Sequence, residues 1–307
     1  MNPAWSVVLF TTLAGAAQGL VVTLALAELA SLPMSTGFLA NALALAVVTL
    51  VAALVASTFH LGRPTRGWRA ASMWRTSWLS REVIVLPAFI GVCSLWWLAL
   101  HQGWDLPWLP AVSLVLAAAL WLCTAMIYAC IRFIREWAQP LTLVNFTLIG
   151  MSSGLVLACA LAALAAQRAL LLAAGPIALV LTLSALATRI AALRRNARLR
   201  PKSTLQSATG IRTPQLKQQS MGMSAGAFNT REFFHGRTPA LLRHVKNLFL
   251  LLGFVLPALL LLCGLATEST WPWLLALALQ VPGLVAERWF FLAQANHPQN
   301  LYYQTVA

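Results

Sequence analysis

Charged side chains are scarce in this chain of 307 residues. Asp, Glu, Lys and Arg together make up 9% of it and only seven residues are acidic, whereas 60% are hydrophobic. A soluble globular chain carries about 25% charged residues and roughly 45–50% apolar ones. The composition therefore excludes a soluble enzyme of one or two domains, and it also excludes a disordered chain or a disulfide-rich secreted domain. A helical membrane protein that crosses the bilayer several times remains.

Residue patterns that hold metals are also missing. All five cysteines lie inside apolar runs and none forms a C-x-x-C pair, so we expect no iron–sulfur cluster and no metal site on this chain. A membrane-bound haem needs axial histidines at matching depths in facing helices. None of the five histidines lies in the middle of an apolar run, and we therefore expect no haem.

Eight apolar segments are long enough to cross a membrane, which takes about 20 residues. They predict an all-α integral membrane protein with a single domain, residues 1–307, folded as a bundle of eight transmembrane helices. The predicted spans are residues 5–27 (extending to 29), 37–59, 82–100, 109–134, 141–166, 169–192, 245–266 and 271–292.

The distribution of positive charge predicts the orientation of this bundle. An even number of spans puts both termini on the same side as the loops after the second, fourth and sixth spans. Those loops and the adjoining helix ends hold 20 of the 21 Lys and Arg residues, and Arg168 alone lies on the other side. By the positive-inside rule the basic side, including both termini, is cytoplasmic. The net charge of +14 is thus explained by topology, and we expect no nucleic-acid partner.

Two predicted cytoplasmic segments are too long to be simple turns. The Arg/Trp segment, residues 60–81, carries five arginines interleaved with three tryptophans, and the long basic loop, residues 193–244, is rich in Arg, Lys, Gln, Ser and Thr. Basic runs of this kind bind anionic lipid headgroups. A long insertion that faces one compartment is also suited to docking a soluble partner, and the sequence leaves both interpretations open.

One hydrolase-like motif and one transport hypothesis have to be weighed. Residues 150–154 (GMSSG) match G-x-S-x-G, but that motif needs a strand–turn–helix context and a histidine partner. The same glycines favour close helix packing instead, as do Gly15 and Gly19 in the first span. A stand-alone transporter is the main alternative function, although such proteins place ionisable side chains at mid-membrane depth. Here the clearest deep polar residues are neutral, Gln18 and Asn145.

A histidine and a carboxylate mark the predicted cytoplasmic boundary. His60 ends the second span and Glu82 opens the third, so both are predicted to lie at one depth. A quinone site needs a donor to the quinone carbonyl and a group that exchanges protons, and the pKa of histidine, near 6.5, suits this task. Helix capping by His60 and a helix-dipole role for Glu82 explain the same positions equally well.

The sequence of this region resembles the membrane anchor subunit of the dimethyl sulfoxide reductase family. The resemblance covers most of the chain, and its most specific part surrounds His60. The matching stretches are residues 59–64 (FHLGRP), 68–70 (WRA), 77–83 (SWLSREV), 128–137 (YACIRFIREW) and 287–291 (ERWFF), with the tyrosines at 302 and 303.

This resemblance implies a function and a set of site residues. Such anchors hold a molybdopterin catalytic subunit and a ferredoxin-like iron–sulfur subunit at the bacterial inner membrane, and exchange electrons with the quinone pool. The quinone-site histidine and glutamate of the family match His60 and Glu82. Supporting roles are expected for four neighbours, either at the quinone or towards a partner subunit. These neighbours are Arg63, Trp74, Trp78 and Arg81.

The direction of electron flow stays open at this point. The long basic loop is longer than in the typical sulfoxide-reductase anchor, and it is closer to relatives that serve cytoplasmic sulfite-oxidising molybdoenzymes. Electrons would pass from quinol to a sulfoxide in the first case, and from sulfite to quinone in the second.

Overall fold

The computed structural model describes residues 1–59, 62–201, 203–220, 228–267 and 269–302. Within these ranges the regular secondary structure is helical throughout, and eight helices are long and apolar enough to cross a membrane. This confirms the predicted all-helical architecture and the number of spans, while the orientation of the termini stays a prediction. The helices are α1 Trp5–Leu29, α2 Thr36–Thr58, α3 Trp78–Gln102, α4 Leu109–Ala129, α5 Pro140–Leu164, α6 Arg168–Ala197, α7 Pro239–Ala266 and α8 Trp271–Ala293.

Several helix ends differ from the predicted ones. Helix α3 starts at Trp78, four residues before the predicted start at Glu82, because the Ser77 hydroxyl caps it by accepting a hydrogen bond from the Ser80 backbone N–H. Helix α7 likewise starts at Pro239, a residue type suited to the first helical position. Hydropathy alone places such ends too deep in the span, because polar capping residues and first turns lie outside the apolar stretch.

The predicted extension of the fourth span to residue 134 is wrong. Helix α4 ends at Ala129, and the chain then turns before α5. Ile134 and Trp137 are nevertheless buried, in a cluster with Phe146 and Phe291. The buried apolar residues of this turn cover the end of the bundle, and hydropathy cannot distinguish them from another turn of helix.

Helices α1 and α5 form the centre of the bundle, with α2, α3 and α4 on one side and α6, α7 and α8 on the other. Their crossing is a backbone contact. A Cβ atom added to Gly154 would lie 2.0 Å from the carbonyl carbon of Gly19, and one added to Gly19 would lie 2.2 Å from the Gly150 carbonyl oxygen. The predicted packing role of these glycines is confirmed.

Ser152, the serine of the hydrolase-like motif, is part of this packing. Its hydroxyl lies 2.7 Å from that of Thr182 and accepts a hydrogen bond from the Gln280 side chain at 3.2 Å. All three side chains are buried. The hydroxyl therefore links α5, α6 and α8 by hydrogen bonds, which favours a packing role for Ser152 over the role of a nucleophile.

Candidate functional site

Glu82 is a buried carboxylate near one end of the bundle. It lies four residues after the start of α3, or about 6 Å along the helix axis, and its exposed fraction is 6%. The Thr124 hydroxyl, on the neighbouring helix α4, donates a hydrogen bond to Oε1 of Glu82. The Glu82 carboxyl group is thus fixed by a hydrogen bond from α4 and lies near the end of α3. This is close to the membrane boundary, where protons can be exchanged with water.

His60, the predicted partner of Glu82, lies outside the described residues. Helix α2 ends at Thr58, and the next residue, Phe59, is 79% exposed. The end of α2 therefore leads directly to the histidine, and α2 packs against α3. The relative placement of the His60 and Glu82 side chains stays a prediction.

Arg81 fastens the Arg/Trp segment to the start of α3. Its Nε donates to the backbone oxygen of Trp74 and its Nη2 to that of Arg75, each at 2.9 Å. The guanidinium also lies 4.2 Å from the ring centroid of Trp78, a cation–π distance. These contacts direct Arg81 towards the segment; among the described residues no ion pair joins it to Glu82.

The remaining predicted support residues lie on an exposed surface. A 3₁₀ helix, Pro64–Met73, forms most of the Arg/Trp segment. Trp74 is 52% exposed, with the Arg75 guanidinium 5.4 Å from its ring centroid. Trp68 is similarly exposed beside Arg69, and Arg63 is exposed. The segment thus presents aromatic rings and guanidinium groups together at the same end of the bundle as Glu82.

A buried ion cluster was not recognised from the sequence. Nε of Arg189 in α6 lies 2.7 Å from Oε1 of Glu287 in α8, and Nε of Arg288 lies 3.2 Å from Oε2 of the same carboxylate. All three side chains are at most 5% exposed. The Arg288 guanidinium also lies 4.0 Å from the Phe146 ring centroid. We call these three residues the Arg–Glu–Arg cluster.

The cluster lies well inside the helices that carry it. Arg189 is eight residues before the end of α6, and Glu287 is six residues before the end of α8, or about 12 and 9 Å along the axes. Ionisable side chains at such depth are costly and usually functional. The sequence signal for this cluster was an arginine within one apolar helix and an adjacent Glu-Arg pair within another. It was missed because these residues were counted as charges at the cytoplasmic helix ends.

The long basic loop folds its final part back onto the end of the bundle. The Asn300 side chain donates to the Phe233 backbone oxygen at 3.2 Å, and the Phe233 ring stacks on His297 with centroids 3.9 Å apart. A cleft of about 650 Å³ opens beside this contact, next to His235 and Arg237. Partial burial lowers the pKa of His235 below its ordinary value, so this side chain is mainly neutral at physiological pH.

Among the described residues, no group of three or more His, Cys, Asp or Glu side chains is close enough to hold a metal ion.

Comparison with known proteins identifies the family of the chain. Residues 1–291 match the DMSO reductase anchor subunit (DmsC) family. The chain is also 45% identical, over 327 aligned positions that cover all of both chains, to a sulfite dehydrogenase subunit of Allochromatium vinosum. The resemblance noted from the sequence is thereby confirmed. This multi-pass membrane protein belongs to the DMSO reductase anchor subunit family, the membrane anchors of oxidoreductase complexes.

Proposed function

We propose that the chain is the quinone-reactive anchor of a heterotrimeric molybdenum and iron–sulfur oxidoreductase in the bacterial inner membrane. Electrons pass between the quinone pool and an iron–sulfur subunit, which connects to a molybdopterin catalytic subunit. The observation that carries the proposal is the buried Glu82 carboxylate, held by Thr124 near the end of α3. This end also bears the basic aromatic surface of the Arg/Trp segment.

The proposed chemistry divides the work between two side chains. Reduction of a quinone to a quinol consumes two electrons and two protons. His60 donates a hydrogen bond to one quinone carbonyl and passes a proton, a role that suits a group titrating near neutral pH. Glu82 supplies the second proton and recovers it from the aqueous side. The exposed ring of Trp74 and the half-buried ring of Trp78 provide flat apolar surfaces beside the quinone ring.

We further propose that electrons flow from sulfite to quinone. Sulfite takes an oxygen atom from water and gives sulfate, two protons and two electrons. These electrons and protons balance the reduction of one quinone. The 45% identity to a sulfite dehydrogenase subunit over its whole length supports this direction. The long basic loop supports it as well, because its length resembles that of relatives that serve sulfite-oxidising molybdoenzymes.

Docking in this proposal uses the exposed surface next to Glu82. The Arg/Trp segment carries guanidinium groups and indole rings, residue types enriched where proteins bind one another. A partner cluster seated there is close to the quinone, and electron transfer requires that closeness. Anionic lipid headgroups contact the arginines that the partner leaves uncovered.

The experiment that tests this function is sulfite-dependent reduction of a short-chain ubiquinone analogue by membranes that contain the assembled complex. His60→Ala and Glu82→Gln should each lower the rate at least about 100-fold, the usual contribution of a positioned acid–base group. Sulfite oxidation with a soluble electron acceptor, which bypasses the quinone, should stay unchanged. Unchanged quinone reduction in either variant would overturn the proposal.

A further inference from the structure

A small polar cavity lies in the bundle between α1, α4, α5 and α8. Its volume is about 20 Å³, and a cavity of roughly 10–15 Å³ can hold one water molecule. Its wall includes Thr124, which donates a hydrogen bond to Glu82, and Arg288 of the Arg–Glu–Arg cluster. The cavity therefore lies between the proposed quinone-site carboxylate and the buried ion cluster.

The groups around this cavity include both donors and acceptors. The indole Nε1–H of Trp121 is buried and has no hydrogen-bond partner among the described residues, and Arg288 has N–H donors beyond the Nε that pairs with Glu287. Thr11 and Thr12 donate their hydroxyl hydrogens to backbone carbonyls of α1. The oxygens of these hydroxyls, and that of Thr124, can therefore accept hydrogen bonds from another group.

A ligand for this cavity must be small and must accept from the indole, and the site also allows it to accept from the guanidinium and to donate to hydroxyl oxygens. Water has two hydrogens and two lone pairs and meets all these requirements. A halide ion would accept from the same donors but could donate nothing to the hydroxyls. Burying a polar N–H without a partner is costly, so the Trp121 indole itself favours a bound acceptor.

We propose that this cavity binds a structural water molecule that links the Glu82–Thr124 pair to Arg288. The inference rests on the proposed role of Glu82 and extends it. The Arg–Glu–Arg cluster contains two arginines and one glutamate, so it has one positive charge in excess. The Glu82 carboxylate balances that charge through the water and the Thr124 hydroxyl. When Glu82 gives its proton to the quinone, the resulting negative charge is thereby stabilised.

Two glycines allow a matched test of the water site. A Cβ atom added to Gly15, which lines the cavity, would meet only the Cα of Gly150 at 3.6 Å, an ordinary contact. One added to Gly91, within α3, would meet nothing within 4 Å. Gly15→Ala therefore adds a methyl group at the cavity wall without a clash, and Gly91→Ala is the control for the same exchange in a spanning helix.

The experiment combines cryo-electron microscopy of the full complex with the quinone-reduction assay. We expect a density peak within hydrogen-bond distance of Trp121 Nε1 in the wild type and in Gly91→Ala, and none in Gly15→Ala. The rate in Gly15→Ala should fall about 10-fold, the value of one hydrogen bond to a charged group, with an unchanged KM for quinone. Trp121→Phe, which removes the donor together with part of the ring system, should lower both the density and the rate.

The outcomes separate this inference from the function on which it rests. If Glu82→Gln retains full quinone reduction, the proposed function is wrong, whatever the cavity contains. If Glu82→Gln is inactive but Gly15→Ala lacks the density and still turns over like Gly91→Ala, the water has no role and the inference is overturned. A peak in the wild type that bromide can replace would also overturn it, because the site would then bind an anion.

Discussion

The crossing of α1 and α5 makes Gly154→Ala the most informative test of the fold. The added methyl group would lie 2.0–2.2 Å from backbone atoms of Gly19. Carbon atoms in ordinary contact are about 3.5–4.0 Å apart, so the two helices would have to separate by about 1.5 Å at this point. No side-chain rotation can relieve these contacts, because the atoms that the methyl group meets belong to the backbone of α1.

The cost of this separation can be bounded from packing principles. Overpacking a core costs about 1–3 kcal/mol even where side chains can adjust. We expect at least about 3 kcal/mol for Gly154→Ala, because α1 and α5 contact most of the other helices and cannot move alone. Gly91→Ala, with open space around the new methyl group, should leave the stability unchanged.

The assay is thermal unfolding of the purified full chain in one detergent, followed by tryptophan fluorescence for wild type, Gly154→Ala and Gly91→Ala. A large drop in Tm for Gly154→Ala alone is the expected result. Equal Tm values for the two variants would refute the backbone contact between α1 and α5 and their close crossing at the centre of the bundle.

Three further predictions follow from individual contacts. Glu287→Gln leaves two buried guanidinium groups without a counter-ion and should destabilise the chain by about 3–5 kcal/mol, measured as a loss of Tm; an unchanged Tm would contradict the buried cluster. Thr124→Val removes the hydrogen bond to Glu82 at nearly constant volume and should lower quinone reduction about 10-fold, whereas wild-type turnover would contradict a role for this contact. Arg81→Gln frees the backbone at Trp74 and should speed tryptic cleavage within the Arg/Trp segment, and an unchanged cleavage rate would show that the segment is held by other contacts.

Much of the fold was predictable because span length and hydropathy are strong signals. The apolar stretches predicted eight spans, and the eight long helices of the described residues agree. Helix ends were less predictable. The Ser77 cap of α3 is polar, and the turn after Ala129 carries buried apolar residues such as Ile134 and Trp137, so local hydropathy misplaces both boundaries.

The candidate site was predictable only in part. Glu82 stood out because it opens a span in a distinctive stretch, but its partner Thr124 lies 42 residues away on another helix, and no local pattern identifies it. The same holds for Arg189 and Glu287, which are 98 positions apart in sequence and meet only in the bundle. Arg81 shows the opposite case, in which neighbours in sequence are not partners in the structure. Its side chain turns away from Glu82 and binds backbone oxygens.

The most direct test of the central claim is to locate the quinone itself. Membranes containing the assembled complex would be illuminated with an azido-substituted ubiquinone analogue, and the labelled peptides identified by mass spectrometry, with excess unlabelled quinone as competitor. Competable labelling confined to the end of α2, the Arg/Trp segment and the start of α3 is the predicted result. Competable labelling elsewhere in the chain, or only on a partner subunit, would contradict the assignment of the quinone site to His60 and Glu82.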